Sequence, residues 1–294
     1  AALSGGSVDA TGFPQGPLAA GSYSFKAHYN GEGFFPPADS ACEPLEVLKG
    51  NLTLTTTINT SSHDALEGNA DLGDSLHDQA DVTGILAGFP PANSITFTFF
   101  TDPAAGFCSG TTTSAGSHSI DAAGVAHPSN STGALGAGQY AFRANLVGDA
   151  NYTVAGGASA DSACEPFTVD KANLTLTTTI HTDSPDADLV GNADLGDSLH
   201  DRADVSGIVP GFPPANSVTF TFFNDPAAGF CTGTNISAGS HSINAAGVAH
   251  PSNSTGALGA GQYAFRANLV GDANYTVAGG ASADSACEPF TVDK

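Results

Sequence analysis

The sequence has no methionine and no tryptophan, and its 294 residues include only 7 Lys and Arg against 29 Asp and Glu. The formal net charge is therefore -22. Nucleic-acid binding needs clustered Lys and Arg to contact phosphates, and because the sequence has no such cluster, this class of partner is excluded. The negative charge favours solubility and the attraction of cations instead.

Long hydrophobic runs and catalytic signatures are also missing. No apolar stretch approaches the ~18 residues of a membrane helix, so no membrane span is expected in this segment. The sequence contains no Gly-x-Ser-x-Gly elbow, P-loop or dinucleotide fingerprint. We therefore predict no catalytic residues and no cofactor-binding residues, and we do not expect an enzyme.

An internal repeat organises the chain. The stretch 138–149 returns unchanged at 261–272, and a looser copy begins at Gly21. Residues 122–171 and 245–294 are identical. Each whole repeat has about 120 residues, the usual size of an independent domain. The predicted domains are the C-terminal part of an incomplete repeat at 1–49 and two whole repeats at 50–171 and 172–294.

Each whole repeat has the pattern of β structure throughout. In 52–58 apolar residues alternate with threonine, and in 95–99 phenylalanine alternates with threonine, as on half-buried strands. Phe100 breaks the alternation, so we expect it to cover an edge or to contact a neighbour. About seven short strands separated by turn signals, with no competing helical period, predict an all-β fold of tandem antiparallel sandwiches in a linear array.

Five cysteines indicate how the repeats are crosslinked. Cys108 and Cys164 stand at the same separation as Cys231 and Cys287, and no Cys-x-x-Cys or Cys/His clustering of a zinc site is present. We predict one disulfide per whole repeat, each stabilising the fold by about 4 kcal/mol through loop entropy. Cys42 is left over, because its equivalent partner would lie ahead of the first residue. Structural disulfides indicate an oxidising compartment, hence an extracellular or cell-surface location.

These motifs carry a resemblance to a known class of domain. Ala-Gly-Gln-Tyr-Ala-Phe at 137–142 looks like the tyrosine corner of immunoglobulin-like domains, with Phe142 where antibody domains have their second core cysteine. Thr-Phe-Thr-Phe-Phe at 96–100 and Cys-Glu-Pro-Phe-Thr-Val at 164–169 complete a pattern similar to bacterial immunoglobulin-like tandem repeats of large exported and surface proteins. The resemblance covers 50–294 and part of 1–49. The resemblance implies a role in a spacer, stalk, adhesin or fibre, and it implies no catalytic activity.

Metal binding is considered for two sets of residues. No two histidines stand at a metal-ligand spacing, so we expect them at solvated strand and loop positions and predict no histidine metal site. The histidines that recur between repeats are His77, His118, His127, His200, His241 and His250. Calcium takes about six to eight oxygens, often from carboxylates on one loop, and capping of turns is the alternative role for such carboxylates. The weak calcium candidates are Asp71, Asp74, Asp194 and Asp197.

One acidic residue is predicted to lie inside. Asp78 shares its strand parity with Leu76 and Ala80, so its carboxylate faces the core. A buried carboxylate must be paired or hydrogen-bonded. We expect Asp78 to cap a turn or to meet a tyrosine hydroxyl.

Asn-x-Ser/Thr sequences offer attachment points for glycans. An exported chain would make them accessible, and the alternative is that no glycan is attached. The candidate glycosylation sites are Asn51, Asn59, Asn130, Asn151, Asn173, Asn235, Asn253 and Asn274.

The sequence predicts a structural protein of the cell exterior, a repeating segment of an extracellular fibre, filament or surface stalk. One alternative is an adhesin that binds a host or surface ligand through its loops, and another is a set of non-catalytic appendage repeats of a secreted hydrolase. The joint at 169–174 contains no Gly/Ser or Pro linker, which predicts a stiff rod. The expected partner is a second copy of the chain, added head to tail or by strand addition at the incomplete unit 1–49.

Overall fold

The computed structural model describes residues 2–101, 108–226 and 231–294. Within these residues all regular elements are β-strands, and no helix there is long and apolar enough to cross a membrane. The chain divides into two compact units. The first contains 1–66, 76–132 and 140–166, and the second contains 67–75, 133–139 and 167–294. The repeat boundaries predicted from the sequence remain predictions, because these contact-based units do not follow them.

Residues 21–47 form two short antiparallel strand pairs, one enclosed within the other along the sequence. The strands are β1 (Gly21–Phe25), β2 (His28–Tyr29), β3 (Ala38–Asp39) and β4 (Glu43–Val47). β1 pairs with β4 and β2 pairs with β3, both antiparallel. Phe25 remains 44% exposed and Leu45 remains 40% exposed, since so short a segment cannot bury its own apolar face.

Residues 50–171 form two sheets. The strands are β5 (Gly50–Thr60), β6 (Leu76–Thr83), β7 (Ile95–Thr101), β8 (Thr111–His118), β9 (Val125–Ala126), β10 (Gly138–Val147), β11 (Tyr152–Val154), β12 (Ser159–Asp161) and β13 (Glu165–Val169). One sheet has the order β11-β5-β6-β9, and the other has the order β12-β10-β7-β8 with β13 also pairing with β10.

Residues 172–294 repeat this arrangement. The strands are β14 (Ala172–Asp183), β15 (Asp186–Asp188), β16 (Leu199–Ser206), β17 (Val218–Pro226), β18 (Gly233–His241), β19 (Val248–Ala249), β20 (Gly261–Val270), β21 (Tyr275–Val277), β22 (Ser282–Asp284) and β23 (Glu288–Val292). One sheet has the order β15-β14-β16-β19 with β21 beside β14, and the other has the order β18-β17-β20-β22 with β23 beside β20.

The core of the second unit lies between its two sheets. Leu174 and Leu199 come from one sheet, Phe220 and Phe265 come from the other, and all four are at most 1% exposed. Alternation along each strand places these residues on the inner faces, which pack as in a β-sandwich. The all-β sandwich fold predicted from the sequence is therefore confirmed.

The pairing is not antiparallel throughout. Residues 172–174 of β14 run parallel to β21, and β14 then pairs antiparallel with β16 from Thr175 onward. β5 makes the same parallel contact with β11. A long first strand that pairs with one neighbour and then with another explains this difference from the predicted antiparallel sandwich.

Both predicted disulfides are present, Cys108–Cys164 and Cys231–Cys287, and Cys42 is an exposed free thiol. The second bridge packs against Phe223, which is 2% exposed, and Ala264 on the outer face of a sheet. Phe223 is also covered by the guanidinium of Arg266 at 5.6 Å from the ring centroid. Phe223, which breaks the strand alternation in the second whole repeat, is therefore buried in a small second core.

Phe100, the corresponding residue in the first whole repeat, is 3% exposed. The guanidinium of Arg143 lies 5.4 Å from its ring centroid. A cation held against the face of an aromatic ring covers apolar surface and is attracted by the ring electrons. The expectation that Phe100 covers an edge is wrong, because β7 lies between β10 and β8 in its sheet.

The tyrosine-corner resemblance has a structural counterpart. The hydroxyl of Tyr263 donates to the carbonyl of Gly259 at 3.0 Å, and the hydroxyl of Tyr23 donates to the carbonyl of Ala19 at 2.9 Å. In both cases the acceptor lies four residues upstream of the tyrosine, as in immunoglobulin-like domains. The bond ties the start of the strand to the turn before it.

Candidate functional site

The structure brings three histidines of the first unit together into a group that we call cluster A: His63, His77 and His127. His77 lies on β6, and His127 follows β9, which pairs with β6. Continuing that register places His127 two residues from His77 along the sheet and on the same face. His63 reaches them from the turn after β5, where its φ is 67°, in the left-handed region.

The ring nitrogens of cluster A converge on one point. Nδ1 of His63 lies 3.1 Å from Nε2 of His77 and 3.2 Å from Nε2 of His127. The two Nε2 atoms are 2.9 Å apart. His77 is 5% exposed, His127 is half-buried and His63 is exposed, so the point of convergence lies at the surface.

The second unit has an equivalent group, cluster B, formed by His181, Asp186, His200 and His250. His181 on β14 stands directly opposite His200 on β16, and His250 follows β19. One carboxylate oxygen, Oδ1 of Asp186, approaches all three rings. It lies 2.8 Å from Nδ1 of His181, 3.4 Å from Nε2 of His200 and 3.5 Å from Nε2 of His250.

Cluster B is surrounded by a second layer of carboxylates. Oδ1 of Asp183 lies 2.6 Å from Nδ1 of His200, on the side of the ring that faces away from the cluster. Oδ1 of Asp188 lies 3.0 Å from Nε2 of His181. Asp183 in turn accepts a hydrogen bond from the hydroxyl of Ser254 at 2.5 Å. Such carboxylates fix the tautomer and the orientation of an imidazole.

The surroundings of His77, His127 and His250 favour the neutral form of these three rings. Burial lowers the pKa of His77, and the nearby rings of His127 and His63 lower it further. Burial is also the main cause that lowers the pKa of His127 and of His250, although Asp186 acts in the opposite direction on His250. Neutral imidazole carries the lone pair that accepts a proton or binds a metal.

The prediction of solvated histidines is wrong for the three most buried rings of the clusters. His77 and His200 are each 5% exposed, and His181 is 6% exposed. The equal separation of His77 from His127 and of His200 from His250 was the available signal, but the register between strands was needed to interpret it. His118 and His241, which also recur, lie outside both clusters.

A second buried group consists of two acids from opposite sheets. Asp201 on β16 is 0% exposed, and burial, followed by the charge of Glu288 on β23, raises its pKa to about 9. The amide of Arg202 is near enough to lower this pKa in part, but no hydrogen bond of normal geometry reaches either oxygen of Asp201. A proton shared between the two carboxyl groups would supply the donor that these oxygens lack.

The first unit repeats this acid pair with Asp78 and Glu165. Burial, followed by the charge of Glu165, raises the pKa of Asp78 to about 8. Burial also raises the pKa of Glu165. Asp78 is 0% exposed, as its strand parity predicted. The expected partner was wrong, because Asp78 meets a second carboxyl group from the facing sheet and neither a turn nor a tyrosine.

The calcium candidates form turns. Oδ2 of Asp74 accepts a hydrogen bond from the amide of Asp71 at 2.9 Å, and the amide of Asp74 donates to the carbonyl of Asp71 at 3.0 Å. Asp194 and Asp197 make the same two bonds at 2.9 and 3.0 Å. These bonds correspond to the turn-capping role considered as the alternative, and calcium at these carboxylates stays a prediction.

The candidate glycosylation sites differ in exposure. Asn59 is 5% exposed, so in the folded chain it is not an accessible acceptor. Asn151 and Asn274 are half-buried, and the side-chain oxygen of each accepts a backbone hydrogen bond. The exposed acceptors are Asn51, Asn130, Asn173, Asn235 and Asn253. Glycan attachment at any of them stays a prediction.

Comparisons with known proteins assign no family. No protein-family model and no curated protein matches the chain. Among solved structures it is similar to a tetra-tandem repeat in the extending region of a large adhesion protein, at 14% identity and a TM-score of 0.33, over 82% of this chain and 49% of that one. The chain thus spans about half the length of that structure.

Two further solved structures are similar to the chain at comparably low sequence identity and TM-score. One is the C-terminal domain of the Streptococcus pyogenes antigen I/II-family protein AspA, at 10% identity and a TM-score of 0.28, over 82% of this chain and 99% of that one. The other comprises fibronectin(III)-like modules of Clostridium thermocellum CbhA, at 15% identity and a TM-score of 0.22, over 80% and 92%. Likenesses this distant carry no argument, so the fold assignment rests on the strands and the core of this chain.

Proposed function

We propose that this chain is a non-catalytic repeating segment of an exported protein, serving as part of a surface stalk, shaft or fibre. The observation that carries the proposal is the repetition itself. Residues 122–171 and 245–294 are identical, loops included, and each whole repeat builds two sheets whose strand pairing agrees except for the additional β15 of the second repeat. A single specific binding site does not require identical loops in two repeats, whereas a shaft consists of equivalent repeats stacked on one another.

Two further features support an extracellular location. Each repeat carries one disulfide, a crosslink that persists in oxidising compartments. The charge of -22 keeps such a chain soluble and self-repelling at the cell exterior. Glycans on the exposed Asn-x-Ser/Thr sites would add to that protection.

An adhesin is the second candidate, and a repeated hollow favours it. In the first unit, residues 82–88, 90–91 and 121–123 line an open hollow of about 540 Å³, in which Leu86 is 55% exposed. In the second unit, residues 205–211, 213–214 and 243–247 line a hollow of about 650 Å³. Loops at one end of a sandwich are the usual place for ligand binding.

Small-angle scattering on the full chain tests the shaft. The joint at 169–174 lacks flexible-linker residues, so we expect the profile of an elongated particle with a narrow distribution of lengths. Electron microscopy at rising concentration would show whether copies add head to tail. A compact or broadly variable profile would contradict the shaft, and saturable binding of the purified chain to a host glycan or protein would favour the adhesin.

A further inference from the structure

We propose that each whole repeat binds one divalent transition-metal cation of the Zn²⁺ type, at cluster A in the first unit and at cluster B in the second. This inference does not depend on the proposed shaft function. It concerns side chains that neither the disulfides nor the core uses.

The spacing of the ligand atoms matches such a cation. Zn²⁺ held tetrahedrally at about 2.0–2.1 Å places neighbouring ligand atoms about 3.3 Å apart. The three nitrogens of cluster A are separated by 2.9, 3.1 and 3.2 Å. In cluster B, Oδ1 of Asp186 lies 2.8 Å from Nδ1 of His181, 3.4 Å from Nε2 of His200 and 3.5 Å from Nε2 of His250, and these two Nε2 atoms lie 2.9 Å apart. A cation could enter either cluster with small shifts of the side chains.

Hydrogen bonding alone cannot satisfy cluster A. Each ring nitrogen of a neutral imidazole either carries a proton and donates, or carries a lone pair and accepts. Among three such atoms at least two must have the same role, and every pair in cluster A is separated by 3.2 Å or less. At least one pair is therefore repulsive. A cation that accepts all three lone pairs removes this conflict.

Cluster B has the further parts of a built metal site. The carboxylate of Asp183 at Nδ1 of His200 leaves the lone pair of Nε2 directed at the cluster. Oδ1 of Asp188 also lies 3.0 Å from Nε2 of His181, but the two atoms are not aligned for a hydrogen bond, so the backing carboxylate that is hydrogen-bonded in this structure is Asp183. Imidazole ligands backed by carboxylates are typical of zinc sites, and such partners strengthen binding. Cluster B also offers four protein ligands where cluster A offers three.

The two repeats reach this arrangement with different loops. His77 and His127 correspond to His200 and His250, and the sequence between the first two strands differs between the repeats. In that variable loop the first unit supplies His63, and the second unit supplies Asp186 from the position that corresponds to Asp64. Two unlike loops thus place a metal-binding side chain against the same pair of histidines.

The donor set selects the class of cation. Imidazole nitrogen with a single carboxylate suits Zn²⁺, Co²⁺, Ni²⁺ and Cu²⁺, whereas Ca²⁺ requires several oxygens. Zn²⁺ is therefore the probe, Ca²⁺ is the comparison, and Co²⁺ reports geometry through its visible absorption. The untagged full chain with Cys42→Ser, which removes the exposed thiol, is dialysed against a chelator before each titration.

Calorimetric titration with Zn²⁺ should give two ions per chain, with cluster B tighter than cluster A and with no competition from Ca²⁺. His127→Ala should remove the weaker site, His250→Ala should remove the tighter one, and the double variant should bind neither ion. Both positions are half-buried, so these variants are expected to fold. The control His28→Ala changes an exposed histidine outside both clusters and should keep two sites.

A swap within the chain tests the outer carboxylate. Asp183→Ser introduces the residue that the first repeat has at Ser61. It should weaken Zn²⁺ binding at cluster B by about 10- to 100-fold and leave cluster A unchanged.

Three results would overturn the proposal. They are no saturable Zn²⁺ binding by the unmutated clusters, an unchanged stoichiometry in the double variant, and the absence of tetrahedral absorption bands when Co²⁺ is added. The cobalt measurement needs no cluster variant, so it decides the question even if a substitution prevents folding.

Discussion

Replacement of the buried acids by amides should change how stability depends on pH. Asp201 and Asp78 are 0% exposed, with pKa values raised to about 9 and about 8 from an ordinary value of 3.8. The folded state therefore holds a proton that the unfolded chain releases near pH 4. The stability from this proton is complete below that pH and is lost as the pH rises through the folded-state pKa.

The magnitude follows from the slope. Over pH values between the unfolded and folded pKa, each pair should lower the free energy of unfolding by about 1.4 kcal/mol per pH unit. Histidines with lowered pKa values, such as His77, make the folded chain less stable as the pH falls, so their effect appears at the lower pH values. The range from pH 6.5 to 8 is therefore the clearest window for the acid pairs.

The assay is urea unfolding followed by circular dichroism in the presence of a chelator. Asp201→Asn keeps the shape of the side chain, cannot ionise, and can donate to Glu288 as the shared proton does. We expect this variant to lose the pH slope of its repeat and to be more stable than the original chain at pH 8. Asp78→Asn should do the same for the first whole repeat.

The matched control is Asp204→Asn, on the same strand as Asp201. Its side chain is 43% exposed and pairs with Arg202 at the surface, where an ion pair contributes little. The slope should persist in this variant. A stability that is flat or rising between pH 6.5 and 8 in the original chain, or an unchanged slope in Asp201→Asn, would refute the shared proton.

Two further predictions concern single bonds of the fold. The hydroxyl of Tyr275 donates to the carbonyl of Phe212 at 2.6 Å and accepts from the amide of Val209 at 2.9 Å. Tyr275→Phe should therefore lower the free energy of unfolding, measured by thermal unfolding, by about 1–3 kcal/mol. Tyr263→Phe should cost less, because it removes one hydrogen bond at the surface. Equal losses would show that burial of the hydroxyl does not matter. Paired replacement of Cys231 and Cys287 by Ser should cost about 4 kcal/mol, while Cys42→Ser should change stability by less than about 0.5 kcal/mol. Linkage of Cys108 to Cys231 in non-reducing peptide mapping would contradict both the pairing and this estimate.

Some features follow from the sequence because they are local or repeated. Alternation of apolar residues with threonine in 52–58 and 95–99 identifies strands, since successive side chains point to opposite faces. Equal separation of the cysteines in two copies identifies the disulfides. The inward direction of Asp78 follows from parity with Leu76 in the same strand. None of these inferences requires knowledge of which strands are neighbours.

Only the tertiary structure identifies the partners of these inward and outward residues. Glu165 meets Asp78 because the two sheets face each other, and parity within one strand does not reveal what lies on the opposite sheet. The histidine clusters depend on the register of β6 with β9 and on a turn that returns His63 to their side. Pairing between strands is set by packing of the whole core, so residues far apart in the sequence come together at one point only in the folded chain.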